Sequence, residues 1–357
     1  MESICRYREK SRIYTYMETL YTIMEIRKVQ ITGGSSYIVS LPKEWIKASR
    51  IGKNDPVGLI VQPDGTLLVT PKIEQEAVQR KKELRVNATT DQTYILRCLI
   101  GAYISGYTTI VLSAQGRLPP SIRLRVREFT QMAIGQEVVE ETETSITIKD
   151  LLNPSEMPFQ NTIRRMAVIV KAMQQDGVEA LRSGNVALAG DVVARDNDVD
   201  RLQWLIARQC NLLLTDANLA RKMGISPQMA MNYFLISRII ERIGDHGTRI
   251  AKNAIEFHQE GSKGEVVEMI GTASATASKI FDRAMESMFG QDLEGANATI
   301  ECVEDLEVQA RAINREALKF DAAMATAIVS ISDSIRRIGE YSGDICENII
   351  NNLVNEV

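Results

Sequence analysis

The chain has 357 residues, enough for two or three domains with cores of their own, and is 45% apolar, 25% charged and only 5% aromatic. That balance excludes disordered and fibrous classes, and no stretch approaches the roughly 20 consecutive apolar residues a bilayer span needs. The net charge of −4 is uneven: residues 24–85 carry 11 Lys/Arg against 7 Asp/Glu, so a polyanion partner is expected for the front of the chain alone.

Residues 1–23 show neither a helical nor a strand period. Met24 stands directly before a strand-like run, so translation is expected to begin there, with 1–23 an extension that is not translated. No signal-peptide series is present, and the five cysteines are scattered with no CxxC pair. A soluble cytoplasmic protein without disulfides or a thiolate zinc site is expected, with no membrane insertion.

From residue 26 the chain reads IRKVQITGGSSYIVSLPKEWIKASRIGKNDPVGLIVQPDGTLLVTPK. Ile26–Ile31 and Tyr37–Leu41 are β-prone runs around a Gly-Gly-Ser-Ser turn. Pro42 stands where a short helix begins, and two further runs flank Pro63-Asp64-Gly65. A unit this small cannot bury both sheet faces, which predicts dimerisation through it.

Gly34, Ser35, Ser36, Val39, Leu41, Pro42, Ile51, Gly52, Asp55 and Val57 follow in an order that resembles the SpoVT/AbrB family, closest to its MazE antitoxin branch, with Ser35 in place of the usual Asn. The resemblance implies an interleaved swapped-hairpin β-barrel over residues 24–73, formed by two chains and laid on DNA. The candidate DNA-binding residues are Arg27, Lys28, Ser35, Ser36, Lys43, Lys47, Arg50 and Lys53. The basic side chains would contact phosphates, while Arg27 and Ser36 would be placed for base readout.

After a charged connector, QRKKELR, residues 84–150 alternate strand and helix signals: LRV, a helical stretch from Asp91 to Ser105, TTIVLSA, a second from Pro119 to Ile134, then QEVVEE and SITIKDL. This predicts a small α/β subdomain of parallel βαβ crossovers closed by a hairpin, serving as a spacer or dimer contact. GAYISGYT at 101–108 superficially matches a phosphate loop. Tyr107 replaces its lysine, however, and the run ends a helix instead of starting one.

Asn153-Pro154 marks a boundary, beyond which helical periodicity runs to the end of the chain. Setting ISRIIERIGDHGTRIAKNAI (236–255) over ISDSIRRIGEYSGDICENII (331–350) gives nine identities in twenty without a gap. RDNDVDRLQWLIARQ has a looser counterpart in VEDLEVQARAINREA, and the first copy carries extra residues around LTDANLARKMGIS. Tandem units of a helical hairpin plus a helix follow, over 155–260 and 262–357.

These units, and the run Glu241-Arg242-Ile243-Gly244-Asp245-His246 with Ile250, resemble the PhoU family of phosphate-signalling regulators. With the MazE-like front, the whole is similar to archaeal phosphate uptake regulators. The expected fold is multidomain and mainly α: N-terminal β-barrel, α/β middle, and tandem three-helix bundles.

On a helix turning about 100° per residue, Ile236, Ile240, Ile243, Gly247, Ile250 and Ala254 form one narrow seam, with Gly247 admitting a neighbouring helix closely. Glu241 and Asp245 fall about 140–180° away, on the outer face. A solvated acidic surface is the plain reading of them. The resemblance implies a divalent or iron-type metal ion instead, on Asp196, Asp200, Glu241 and Asp245, with a counterpart at Glu340 and Asp344 where Arg336 has replaced the first Glu. His246 is a ligand, or else a surface or hydrogen-bonded residue.

No nucleophile elbow, HExxH or phosphate loop is present, so no enzyme and no organic cofactor is expected. Two functions remain. One is a transcriptional regulator that holds promoter DNA and represses phosphate transport genes. The other is a protein-interaction module that restrains the ATPase of a phosphate ABC transporter, the front end only dimerising.

Overall fold

The computed structural model describes residues 24–61, 65–71, 80–257 and 264–354, so the extension 1–23 and the Pro63-Asp64 turn lie outside the described residues. The chain divides into two compact units, one ending at Ala77 and one beginning at Val78.

The first unit contains two antiparallel hairpins and a short helix. Strands β1 (Gln30–Thr32) and β2 (Ser36–Ile38) pair around Gly33 and Gly34, both at positive φ. Only a residue without Cβ takes that conformation cheaply. The predicted strand over 26–31 is thus shorter, starting at Gln30. Helix α1 (Lys43–Ala48) begins directly after Pro42, and β3 (Gly58–Val61) pairs with β4 (Leu67–Thr70).

No described residue of this unit is buried, and Ile31, Tyr37, Leu59, Val61 and Leu67 are exposed. Among the described residues the unit has two separate two-stranded sheets.

The second unit opens with a four-stranded mixed sheet in the order β5-β6-β8-β7. Strand β5 (Lys81–Arg85) occupies most of the expected charged connector, an edge position where its lysines and arginine reach water. Helix α2 (Gln92–Ile104), capped by the Asp91 carboxylate, crosses over to β6 (Thr109–Ser113), which is parallel to β5. Helix α3 (Pro120–Met132) leads to β7 (Gln136–Glu141) and β8 (Ser145–Asp150). The expected second crossover forms as well, since β6 and β7 are both antiparallel to β8 and so parallel to each other; what was not foreseen is that β8, the last strand of the closing hairpin, inserts between them.

Ile110, Leu112, Ile146 and Ile148 face α2 and α3 and make a core with Leu99, Tyr103, Ile122 and Phe129. Trp204, from the helical half, packs against that same core.

The helical half comprises α4 (Phe159–Ser183), α5 (Val186–Thr215), α6 (Ala217–Met223), α7 (Pro227–Phe257), α8 (Gly264–Gly290), α9 (Leu293–Glu301), α10 (Val303–Ala317) and α11 (Ala322–Leu353). Helices α4, α5 and α7 form the first bundle, and α8, α9–α10 and α11 the second. The extra residues of the first copy are α6, and the second copy's hairpin helix is broken at Cys302. The bundles share one continuous core, with α7 packed on α11 and α4 on α8.

The α7–α11 crossing is antiparallel: Asn232 meets Asn352, Asn253 meets Ser330, and the His246 and Tyr341 rings lie 5.6 Å apart between them. His246 and Tyr341 are equivalent positions of the two copies, so a local twofold axis passes beside this pair.

A candidate acidic site between two long helices

The burial of α7 explains why Glu241 is not on an outer face, while Asp245 is exposed as expected. Every member of the expected seam is buried, but so are Ser237, Gly244, His246, Thr248 and Ala251. A helix touched by α4, α5 and α11 buries a wide arc, and a seam deduced for one neighbour places the rest outside.

Gly247 does admit α4: a Cβ there would stand 3.2 Å from Met173 Cβ. Gly244 lies against Val170 of α4 and Val199 of α5, and a Cβ on its counterpart Gly339 would overlap the Leu306 side chain.

That arc turns Glu241 toward α5. Its side chain is only 17% exposed, Oε2 is buried with no hydrogen-bond partner, and Oε1 stands 3.6 Å from Arg238. Across from it, α5 presents Asp196 and Asp200. Burial, then the charges of Asp196, Glu241 and Asp245, push Asp200 up to about 7. Burial also raises Glu241 against the pull of Arg238, and partial burial together with Asp196 raises Asp245. The four carboxylates named from the sequence therefore share one electrostatic site.

An all-oxygen donor set is the kind a hard cation takes, and Glu241 Oε2 is a buried oxygen without a partner. The site is not convergent as it stands: among the described residues no group of three or more His, Cys, Asp or Glu is placed to hold a metal ion.

His246 points elsewhere. It is 7% exposed at the α7–α11 crossing, with Nδ1 unpartnered, and burial and then Arg249 lower its pKa to about 4. It is not a surface residue, and its Nδ1 makes no hydrogen bond.

The second acidic pair differs in kind from the first. Glu340 is bound by Arg336 and, at 3.1 Å, by Arg337, while Arg336 also holds Asp333 at 2.6 Å. Where the first copy has Glu241, the second has the guanidinium that neutralises its neighbours. Asp344 is raised by burial and by Glu347 and Glu340, with Arg242 opposing. Glu340 is thus paired with two guanidiniums of its own helix.

Not foreseen were Arg238, which stands i, i+3 from Glu241, and the placing of Arg242, expected as a partner of the acidic face, over the Tyr341 ring. The first was legible as helical spacing; the second needed the crossing.

In the first unit the candidate DNA contacts are all exposed: Arg27 and Lys28 before β1, Ser35 and Ser36 in the turn, Lys43 and Lys47 on α1, Arg50 and Lys53 after it. Arg27 pairs with Glu25, and Lys47 lies 3.3 Å from Glu44.

Helix α5 also carries the attachment of the α/β layer. Arg208 is 2% exposed, bound to the Asp150 carboxylate and the Tyr103 carbonyl, with its guanidinium 4.9 Å from the Tyr103 ring. Gln209 donates to the carbonyls of Pro154 and Met157 at 2.9 and 2.7 Å. The layer read as a spacer is clamped to the helix that bears Asp196 and Asp200.

Comparison with known families matches residues 163–254 to the PhoU domain and residues 30–75 to the antidote-toxin recognition protein MazE, a bacterial antitoxin. The chain is 21% identical over 198 residues to the phosphate-specific transport system accessory protein PhoU homolog 1 of Thermotoga maritima, covering 54% of this chain and 84% of that protein. A homolog of the same description from Aquifex aeolicus is 26% identical over 156 residues, 44% of this chain and 69% of its own. Among solved structures, PhoU from Pseudomonas aeruginosa superposes with a TM-score of 0.51 at 20% identity, over 56% of this chain and 96% of that one. The chain thus joins a MazE-type domain at its front to a helical half that carries a PhoU domain.

Proposed function

We propose that this protein regulates phosphate transport as a DNA-binding homodimer: its front unit holds promoter DNA and represses transport genes, and its helical half reports phosphate status. The observation that carries the reading is the joining of a MazE-type domain to a PhoU domain in one chain. The relatives of the helical half are described as accessory proteins of phosphate-specific transport systems. The exposed apolar residues on both hairpins favour a second chain as their cover, because patches of this kind on an isolated unit mark interaction surfaces. A hard cation at Asp196, Asp200, Glu241 and Asp245 would relieve their mutual repulsion. Such binding couples to DNA only through a difference in affinity between two states.

The test titrates the full chain against duplex from its own upstream region at several salt concentrations, beside an Arg27→Glu, Lys28→Glu, Lys43→Glu variant. Tighter binding to that duplex than to a scrambled one, steeply weakened by salt and lost in the variant, is the expected result. Equal weak binding to both duplexes overturns the DNA reading.

A second reading is favoured by the relatives' own descriptions, which speak of transport accessories: the helical half docks on the ATPase of a phosphate transporter. Salt-insensitive copurification with that ATPase would support it.

A further inference from the structure

We propose that the Arg336 guanidinium is a built-in counter-ion, doing permanently for the second bundle what a bound cation does for the first, so that the chain responds to cations through its first bundle alone. A fixed charge of this kind rests on the cation reading of Asp196, Asp200, Glu241 and Asp245, and it gives the second copy a role of its own.

The gapless repeat sets α7 over α11 residue by residue. Arg238, Glu241 and Arg249 of the first copy stand at Asp333, Arg336 and Asp344 of the second, each with its charge reversed, while Asp245 and Glu340 keep theirs. The helices packed beside them match as well. Val199 lies against Gly244 as Leu306 lies against Gly339, so the residues that follow, Asp200 on α5 and Glu307 on α10, are equivalent. Both copies therefore keep a carboxylate on each of two helices, Asp200 with Asp245 and Glu307 with Glu340. They differ in the side chain at the position that Glu241 and Arg336 share.

The ion pairs show what that difference does. In the first copy Glu241 Oε2 is buried without a partner, and Oε1 is 3.6 Å from Arg238, beyond hydrogen-bonding distance. In the second, Arg336 donates through Nη2 to Asp333 at 2.6 Å and through Nη1 to Glu340, its side chain only 25% exposed. Burial alone would lower the Arg336 pKa; Asp333, Glu340 and Glu307 together raise it. One positive charge thus serves carboxylates of two helices, which is what the first copy lacks and a hard cation would supply. The two cations differ in reversibility. A guanidinium stays protonated at any physiological pH and cannot diffuse away, whereas a free ion leaves once its concentration falls below its Kd.

The experiment is calorimetric titration of Mn2+ into the chelator-treated full chain, into Arg336→Glu, and into a double variant, Arg238→Asp with Glu241→Arg, that carries the second copy's pair in the first bundle. Melting temperatures are read with and without Mn2+. The parent is expected to bind about one equivalent and Arg336→Glu about two. The double variant should bind roughly tenfold or more weakly than the parent, and its melting temperature, unlike the parent's, should not rise with Mn2+. It keeps the result readable where Arg336→Glu does not fold, because this chain already holds an Asp–Arg pair at the equivalent place. No equivalent gained by Arg336→Glu over the parent overturns the proposal, as does a parent that already binds two, or a double variant that binds as the parent does. A parent that binds no Mn2+ is a separate failure: it overturns the cation reading of the first bundle, and the proposal with it.

Discussion

Asp200 and His246 give the helical half opposite responses to acid. Asp200, raised to about 7 chiefly by burial, binds its proton more tightly folded than unfolded, so its cost to the fold is present at pH 8 and relieved as pH falls toward the ordinary carboxylate range. His246, lowered to about 4 chiefly by burial, is protonated first in the unfolded chain, so it costs stability as pH falls from about 6.5 to 4. In chelator-treated buffer the melting temperature is expected to rise as pH falls from 8 toward about 6.5 and then to level off, because below that the two effects oppose each other. Asp200→Asn should raise it by about 2–4 °C at pH 8 and remove that rise, and His246→Phe should let the rise continue toward about pH 4. A pH profile unchanged by Asp200→Asn would show that the carboxylates do not interact. Both residues could be singled out from the sequence, Asp200 by its i, i+4 spacing from Asp196 and His246 by its place in the PhoU-like run. What spacing does not contain is the partner helix: whether a carboxylate at a given angle meets water or another carboxylate depends on how many neighbours its helix has.

At the level of elements, helix boundaries were the most legible feature, because caps are local chemistry. Asp91 and Ser105 bracket α2 where the sequence placed its ends, and Asn153 caps the turn at the predicted boundary. Strand order was not legible, since β8 reaches its place between β6 and β7 through long-range pairing that no local signal records. Two contacts test how elements are held. Gly339→Ala should destabilise by about 1–3 kcal/mol through overpacking against Leu306, read by denaturant melting. Arg208→Met strands the buried Asp150 carboxylate, which sits 6% exposed, and should cost about 3–5 kcal/mol. If Arg208 is the clamp, hydrogen exchange in β5–β8 rises more than in α11; uniform exchange would deny it that role.

Across the whole molecule, the internal repeat made the tandem bundles readable, since nine identities in twenty survive at the two helices that cross. The front unit was readable as hairpins and a short helix, yet no described residue of it is buried. Among the described residues its apolar side chains have no cover. Ile31→Asp combined with Val61→Asp is expected to halve the mass seen by light scattering while leaving the helical circular dichroism unchanged. A parent protein that is already a monomer would sink the homodimer.

The His246–Tyr341 crossing bears on assembly. Equivalent faces of two repeats that meet across a twofold axis are what a symmetric pair of separate subunits would use to recognise each other, and here that self-complementary surface is spent inside a single polypeptide. Any larger association of the protein must draw on faces that the two halves do not share.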